Sequence, residues 1–261
     1  MIRNFLIHVF AFSYRNYIFA KRNIFFLAEM LFWPVMGILS VGLMGGFLNL
    51  EANTLSFVLT GAIAAGVLQV TQLDVGYSLL YDVWSKSVKH TFLSPVHMSS
   101  AILGAWITGM LRGGIIFAAL TLLARAFFDF HLPPFVPSAI FLFGTFWMSL
   151  ISGIGVWVLV LLYGQRAEVA VWAASYLIMV LCGLYYPVNI FPEPLFTVAR
   201  LIPLTYFLDA VRSHYGFAPT FPHALLTGAL ISLVYTAAGL ILVQAALRHA
   251  RKNGQLLRLS E

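Results

Sequence analysis

Apolar residues in this chain fall in long blocks separated by short polar connections. The blocks at 24–48, 55–80, 98–128, 138–162, 169–186 and 223–247 are each long and apolar enough to predict a helix that crosses a bilayer. Residues 1–22 follow another pattern. Asn4, His8, Arg15 and Arg22 recur at near-helical spacing while Phe5, Leu6, Val9, Phe10, Tyr17 and Phe19 fill the other side. That spacing predicts an amphipathic helix lying in the membrane interface. The basic start resembles a secretory signal, but no small-residue cleavage site follows it, so the helix is expected to be retained.

The stretch from Leu181 to Tyr215 is too apolar for a soluble loop and too broken for one helix. Pro187, Pro192, Pro194 and Pro203 each remove a backbone donor and disturb any helix through them. Between them, Ile190, Phe191, Leu195, Phe196, Val198, Leu201 and Ile202 still want an apolar environment. Irregular backbone at membrane depth persists only where protein or a water-lined cavity satisfies its polar groups. Residues 187–215 are therefore expected to form a re-entrant helical hairpin in the outer half of the bilayer. The predicted fold class is an all-α polytopic membrane protein, one domain over 1–261.

Composition agrees with the pattern. Hydrophobic residues make up 61% of the 261 residues and charged residues 9%, which leaves no segment polar enough for a separate soluble domain. The formal net charge of +6 forms no continuous patch, so nucleic acid is not an expected partner. The basic residues instead report topology. Arg3, Arg15, Lys21, Arg22, Lys86, Lys89, Arg166, Arg248, Arg251, Lys252 and Arg258 fall on one set of connections, and Arg125, Arg200 and Arg212 on the other. By the positive-inside rule, both termini and the connection at 81–95 are expected in the cytoplasm, with the broken hairpin outside.

Several polar residues interrupt the apolar blocks. Glu29 lies about one turn inside the first, where it either reaches the interface or takes part in transport. Gln69, Gln72 and Asp74 recur in the second and are expected to face a partner helix or a cavity. Arg112 sits inside the third at an insertion cost of about 2.5–3.5 kcal/mol, so it needs a partner; Asp74 and Glu29 both qualify. Cys182, the single cysteine, cannot form an intrachain disulfide and reads as a small buried hydrophobe.

Familiar catalytic motifs are missing. There is no phosphate loop ending in Lys-Ser/Thr, no His-Glu-x-x-His, no Gly-x-Ser-x-Gly and no CxxC pair. No catalytic residue, bound cofactor or metal is expected. The seven histidines fall on both sides of the predicted membrane, so no shared metal site is expected, while His214 and His223, flanking the hairpin, could meet.

The run Gly183-Leu184-Tyr185-Tyr186-Pro187, then Phe191-Pro192, then Leu201-Ile202-Pro203-Leu204-Thr205-Tyr206, ending at Asp209 and Arg212, resembles the permease subunits of type-2 ABC exporters. The six-span layout with an interfacial amino-terminal helix resembles them over the whole chain. Ile202 stands where that family usually has Asn, and Asp209 where Glu is common. The resemblance implies a cytoplasmic coupling segment at 81–95, with Trp84, Lys86, Val88 and Lys89 contacting a separate ATPase. It also implies an outer gate built from Gly183, Pro187, Phe191, Pro192, Pro203, Thr205, Tyr206, Asp209 and Arg212. Two permease copies would pair above two ATPase subunits, which hold the ATP and Mg, in a bacterial inner membrane. Aromatic richness and scarce fixed charge favour a hydrophobic small molecule or lipid as cargo, with a lipid-linked glycan second. Two other classes stay in view: a membrane enzyme using Asp74, Arg112 or a histidine pair, and a secondary transporter using Asp74 as a proton site.

Overall fold

The computed structural model describes residues 2–93 and 96–253. Glu29 and Lys89 lie outside the described side chains, and Pro95 and Arg258 outside the described residues. Among the described residues ten α-helices follow one another: α1 (Ile2–Arg22), α2 (Ile24–Phe47), α3 (Ala52–Trp84), α4 (Val88–Leu93), α5 (Met98–Phe128), α6 (Phe135–Tyr163), α7 (Glu168–Leu181), α8 (Glu193–Arg200), α9 (Pro203–Arg212) and α10 (Ala224–Lys252). No strand occurs among the described residues. Five helical stretches are long and apolar enough to cross a membrane: Met30–Phe47 within α2, then α3, α5, the run Phe135–Leu181, and α10. The chain is therefore an integral, polytopic membrane protein.

Local chemistry sets the breaks. Prolines stand where helices begin: Pro134 at the cap of α6, Pro192 and Pro194 at the start of α8, and Pro203 at the start of α9. A missing N–H is harmless there, because the first-turn donors have no helical acceptor. Gly164 after α6 (φ 67°) and Gly183 after α7 (φ 70°) end helices in the left-handed region that favours glycine.

Three boundaries differ from the sequence reading, one of them that of the sixth block, expected to end at Leu247 while α10 runs on to Lys252. The second apolar block was expected to end at Leu80, but α3 runs on to Trp84, because Asp82 is buried and held by Arg15. The fifth was expected to reach Tyr186, but α7 stops at Leu181, where Gly183 turns the backbone. With 14 residues, α7 rises only about 21 Å, and it meets the length for a span only as part of Phe135–Leu181.

The bundle is organised around α3. Of its apolar window 83% is buried, against 22% for that of α2 and 17% for that of α10. So α3 is a central post, while α2 and α10 turn broad apolar faces outward. Neighbours pack on α3 through glycines. Val75 fills the space beside Gly153 of α6, and Val156 and Val171 both close on Gly76. One turn back, Gln72 meets Ser175 of α7, and further back Gly61 meets the Leu184 carbonyl. The contacts on α7 rise in number as those on α3 fall, so α7 runs antiparallel to α3 and doubles back on α6.

The Gly61 contact gives a test of this packing. A Cβ there would lie 2.1 Å from the Leu184 carbonyl oxygen, a rigid backbone atom. Gly61→Ala should destabilise the protein by about 1–3 kcal/mol. Gly37→Ala, whose Cβ meets nothing within 4 Å, should leave stability unchanged or raise it by up to ~1 kcal/mol. Thermal unfolding in detergent measures both.

Candidate functional site

Because α3 is buried on nearly all sides, its polar residues face protein rather than lipid. Asp74, one of the two partners the sequence offered, pairs with Arg112 of α5. Arg112 also donates to the Asn16 carbonyl of α1 at 3.3 Å. About two turns further along α3, Asp82 accepts from Arg15 at 2.8 Å and from Ser87 Oγ at 3.1 Å, while Arg15 donates to the Ser78 carbonyl at 3.2 Å. Ser13 of α1 pairs with Thr108 of α5 at 2.9 Å. The amphipathic helix is thus fastened to α3 by one ion pair, and to α5 by a hydroxyl pair and the Arg112 hydrogen bond to its backbone. The residue types of α1 hinted at a polar face, but Arg15 and Asp82 are too far apart in sequence for periodicity to match them.

The two glutamines divide. Gln72 accepts a hydrogen bond from Ser175 of α7. Gln69, with Asp74, faces a cavity of about 30 Å³ walled by Trp33 of α2, Tyr77 of α3 and Trp172 of α7. That volume holds one or two waters, and it offers them two buried polar atoms without partners, Gln69 Nε2 and Asp74 Oδ2. Chemically this is a small polar notch in an aromatic wall. Among the described residues, no group of three His, Cys, Asp or Glu is placed to hold a metal ion.

At the other end of the bundle, the proline-rich signature residues come together in one network. α8 and α9 meet at 98°. Thr205 Oγ1 donates to the Ala199 carbonyl at 2.9 Å and Tyr206 Oη to the Arg200 carbonyl at 2.8 Å, so both pin the corner that Pro203 begins. Arg212, only 2% exposed, donates to the carbonyls of Gly183 and Tyr186, the latter at 3.3 Å. Its guanidinium lies 3.8 Å from the Asp209 carboxylate. Asp209 in turn accepts from the backbone N–H of Thr220 at 2.9 Å and of Phe221 at 3.0 Å. A single arginine therefore ties the turn after α7 to α9, and through Asp209 to the link that enters α10.

Gly183 is required by this lock. A Cβ on it would meet Val188, the Tyr186 carbonyl and the Arg212 guanidinium at 2.6–2.9 Å. Pro187 leads into the short turn Val188–Ile190, and Phe191 packs edge-on against Tyr186 at 5.4 Å. Phe221 stacks on Phe196 and leans on Tyr206, at 5.9 and 4.7 Å. Tyr215, absent from the sequence reading, pairs with the Thr60 hydroxyl at 2.6 Å and reaches the His131 carbonyl at 3.1 Å. It anchors this end of the hairpin to α3 and to the link before α6. No local motif marks that role.

The connection after α3 holds a correction. Trp84 is 43% exposed and rests on Tyr77 and Tyr81, at 5.5 and 5.7 Å. Lys86 is exposed, in a left-handed turn (φ 55°). Val88, however, is fully buried in the chain's own core beside Val83, Met98 and Leu161. It anchors α4 from within and has no surface to offer a docking protein; spacing alone could not separate the inward from the outward side of so short a helix.

No known protein family's sequence profile matches the chain. It is 45% identical over 51 residues to an uncharacterized protein of Archaeoglobus fulgidus, a match covering 20% of this chain and 80% of that one.

Proposed function

The chain belongs to one family with that archaeal protein, and we propose from its own residues that it is the permease subunit of an ATP-driven exporter of the type-2 ABC kind. The observation that carries the reading is the Arg212 network. It holds two short helices, bent against each other by 98°, where a simple bilayer span would otherwise run. In this reading α2, α3, α5, α6, α7 and α10 make six spans, with α7 completed by the turn after it, and α8 and α9 form a re-entrant outer gate. Both termini and the Trp84 end lie in the cytoplasm of a bacterial inner membrane.

Two copies pair through their outward apolar faces, and two ATPase subunits dock beneath, at Trp84 and Lys86. The ATPases bind ATP and Mg and hydrolyse the nucleotide; this chain transmits the movement. Nucleotide-driven closure pushes on the Trp84 corner. Because α3 is one continuous helix from Ala52 to Trp84, that push reaches the hairpin through Thr60 and Tyr215. The cargo is a hydrophobic or amphipathic small molecule or lipid, or a lipid-linked glycan, passing along the aromatic surface between copies.

Purified from its native membrane, the chain should carry an ABC-type ATPase in equal amount, and vesicles holding the pair should move an amphipathic cargo only with ATP. Trp84→Glu should weaken that association about tenfold or more while the protein still folds, as measured by co-purification and thermal unfolding. A chain that purifies alone and transports without nucleotide would overturn the reading.

A further inference from the structure

The carboxy-terminal end of α10 and the start of α5 enclose a second cavity, of about 530 Å³, within the usual size range of small-ligand sites. Its floor is apolar, made by Met98, Val243 and Leu247, all at most 8% exposed. Its rim is cationic. Arg248 and Arg251 lie three residues apart on one face of α10, and among the described residues no acidic side chain lines the cavity. Among the described residues neither arginine has a carboxylate partner. Ser99, in the first turn of α5, also lines it. That 31-residue helix begins at His97 with no side-chain cap, so its first N–H groups and positive dipole end add to the field of the arginines.

The flank of α10 leading to the cavity is a lipid surface. Leu233, Val234, Ile241 and Leu242 are each more than half exposed, and the first charged residue after them is Arg248. The cavity thus stands at the level where an apolar helix face turns basic, with grease below and two guanidinium groups above. We infer that it binds one anionic phospholipid from the surrounding leaflet. The phosphate sits between Arg248, Arg251 and the start of α5, and the acyl chains lie over Val243 and along the exposed side of α10. Charge complementarity selects an anionic head, and the continuous apolar floor selects a lipid over a soluble phosphate ester. The bound lipid would clamp α10 to α5, helices that are otherwise joined through α6 and α3.

Titration of the chain in neutral detergent tests this, with binding read by native mass spectrometry and by the shift in melting temperature. Phosphatidylglycerol should bind and raise the melting temperature, and phosphatidylcholine should do so far more weakly. Arg248→Gln/Arg251→Gln should weaken phosphatidylglycerol about 30-fold. Lys21→Gln/Arg22→Gln, which removes two exposed cations elsewhere, should leave it largely intact. Ser99→Glu suits a helix start but places a negative charge in the cavity, so it should weaken the anionic lipid too, and it keeps the test open should the double arginine variant fold poorly. Equal binding of the two lipids would overturn the inference, as would no effect of either cavity variant or an equal loss in the Lys21/Arg22 variant. Full competition by soluble glycerol phosphate would show an anion site without a lipid, and would also overturn it.

Discussion

Arg112→Leu is expected to destabilise the protein by about 3–5 kcal/mol. Asp74 is 4% exposed, and its carboxylate would be left buried without the guanidinium that balances it. The same substitution frees the Asn16 carbonyl from Arg112, which loosens α1 from the bundle. The companion variant makes the cause visible. Asp74→Leu/Arg112→Leu removes both charges together and should recover most of the loss, because two apolar side chains of similar volume need no partner in a buried site. Thermal denaturation of the wild type, both single variants and the double variant closes the cycle. A single variant as stable as the wild type would mean that the pair does not hold α3 to α5.

Arg212→Leu should have a comparable effect, about 3–5 kcal/mol, but a different distribution. The carbonyls of Gly183 and Tyr186 lose a donor inside the protein, at about 1–3 kcal/mol for each buried group left unpaired. Asp209 keeps its bonds from Thr220 and Phe221 but loses its neutralising charge. The damage should stay at one end. Amide exchange should rise around residues 183–190 and 217–223, while α3 and α5 keep their protection. Arg212→Lys should not rescue it, since one compact ammonium cannot reach two carbonyls on one side and a carboxylate on the other. Uniform loss of protection along the chain would refute a local lock. In the transport reading, the local outcome also predicts leakage of small ions through an open hairpin.

Much of this architecture was legible before any coordinates. Long apolar blocks predict long helices whatever their neighbours, so α2 and α5 emerge close to their expected limits. Prolines and glycines predict breaks, and Pro203 and Gly183 stand at real ones. What sequence could not supply was the facing of short or fully surrounded elements. α3 is buried on every side, so no apolar stripe distinguishes its contacts, and its continuation to Trp84 depends on a charge on another helix, Arg15. α4 is too short for periodicity to show that Val88 points inward. Arg112 demanded a partner by cost alone, and only geometry shows Asp74 beside it. Tyr215 carried no signal, because a hydroxyl that bridges Thr60 and His131 looks like any interfacial tyrosine. The proline-rich signature was the opposite case: residues chosen from one stretch, from Gly183 to Arg212, meet in one network.

The sidedness of the hairpin decides the account most directly, since an ATPase-driven exporter needs Trp84 and both termini inside and α8 and α9 outside. Single cysteines at exposed positions, Asn189→Cys and Lys252→Cys, placed in a Cys182→Ala background, can be probed with a membrane-impermeant maleimide. In intact cells position 189 should label and position 252 should not, with position 252 reacting only after the membrane is opened. Labelling of both positions from the same side, or of position 252 alone in intact cells, would contradict it.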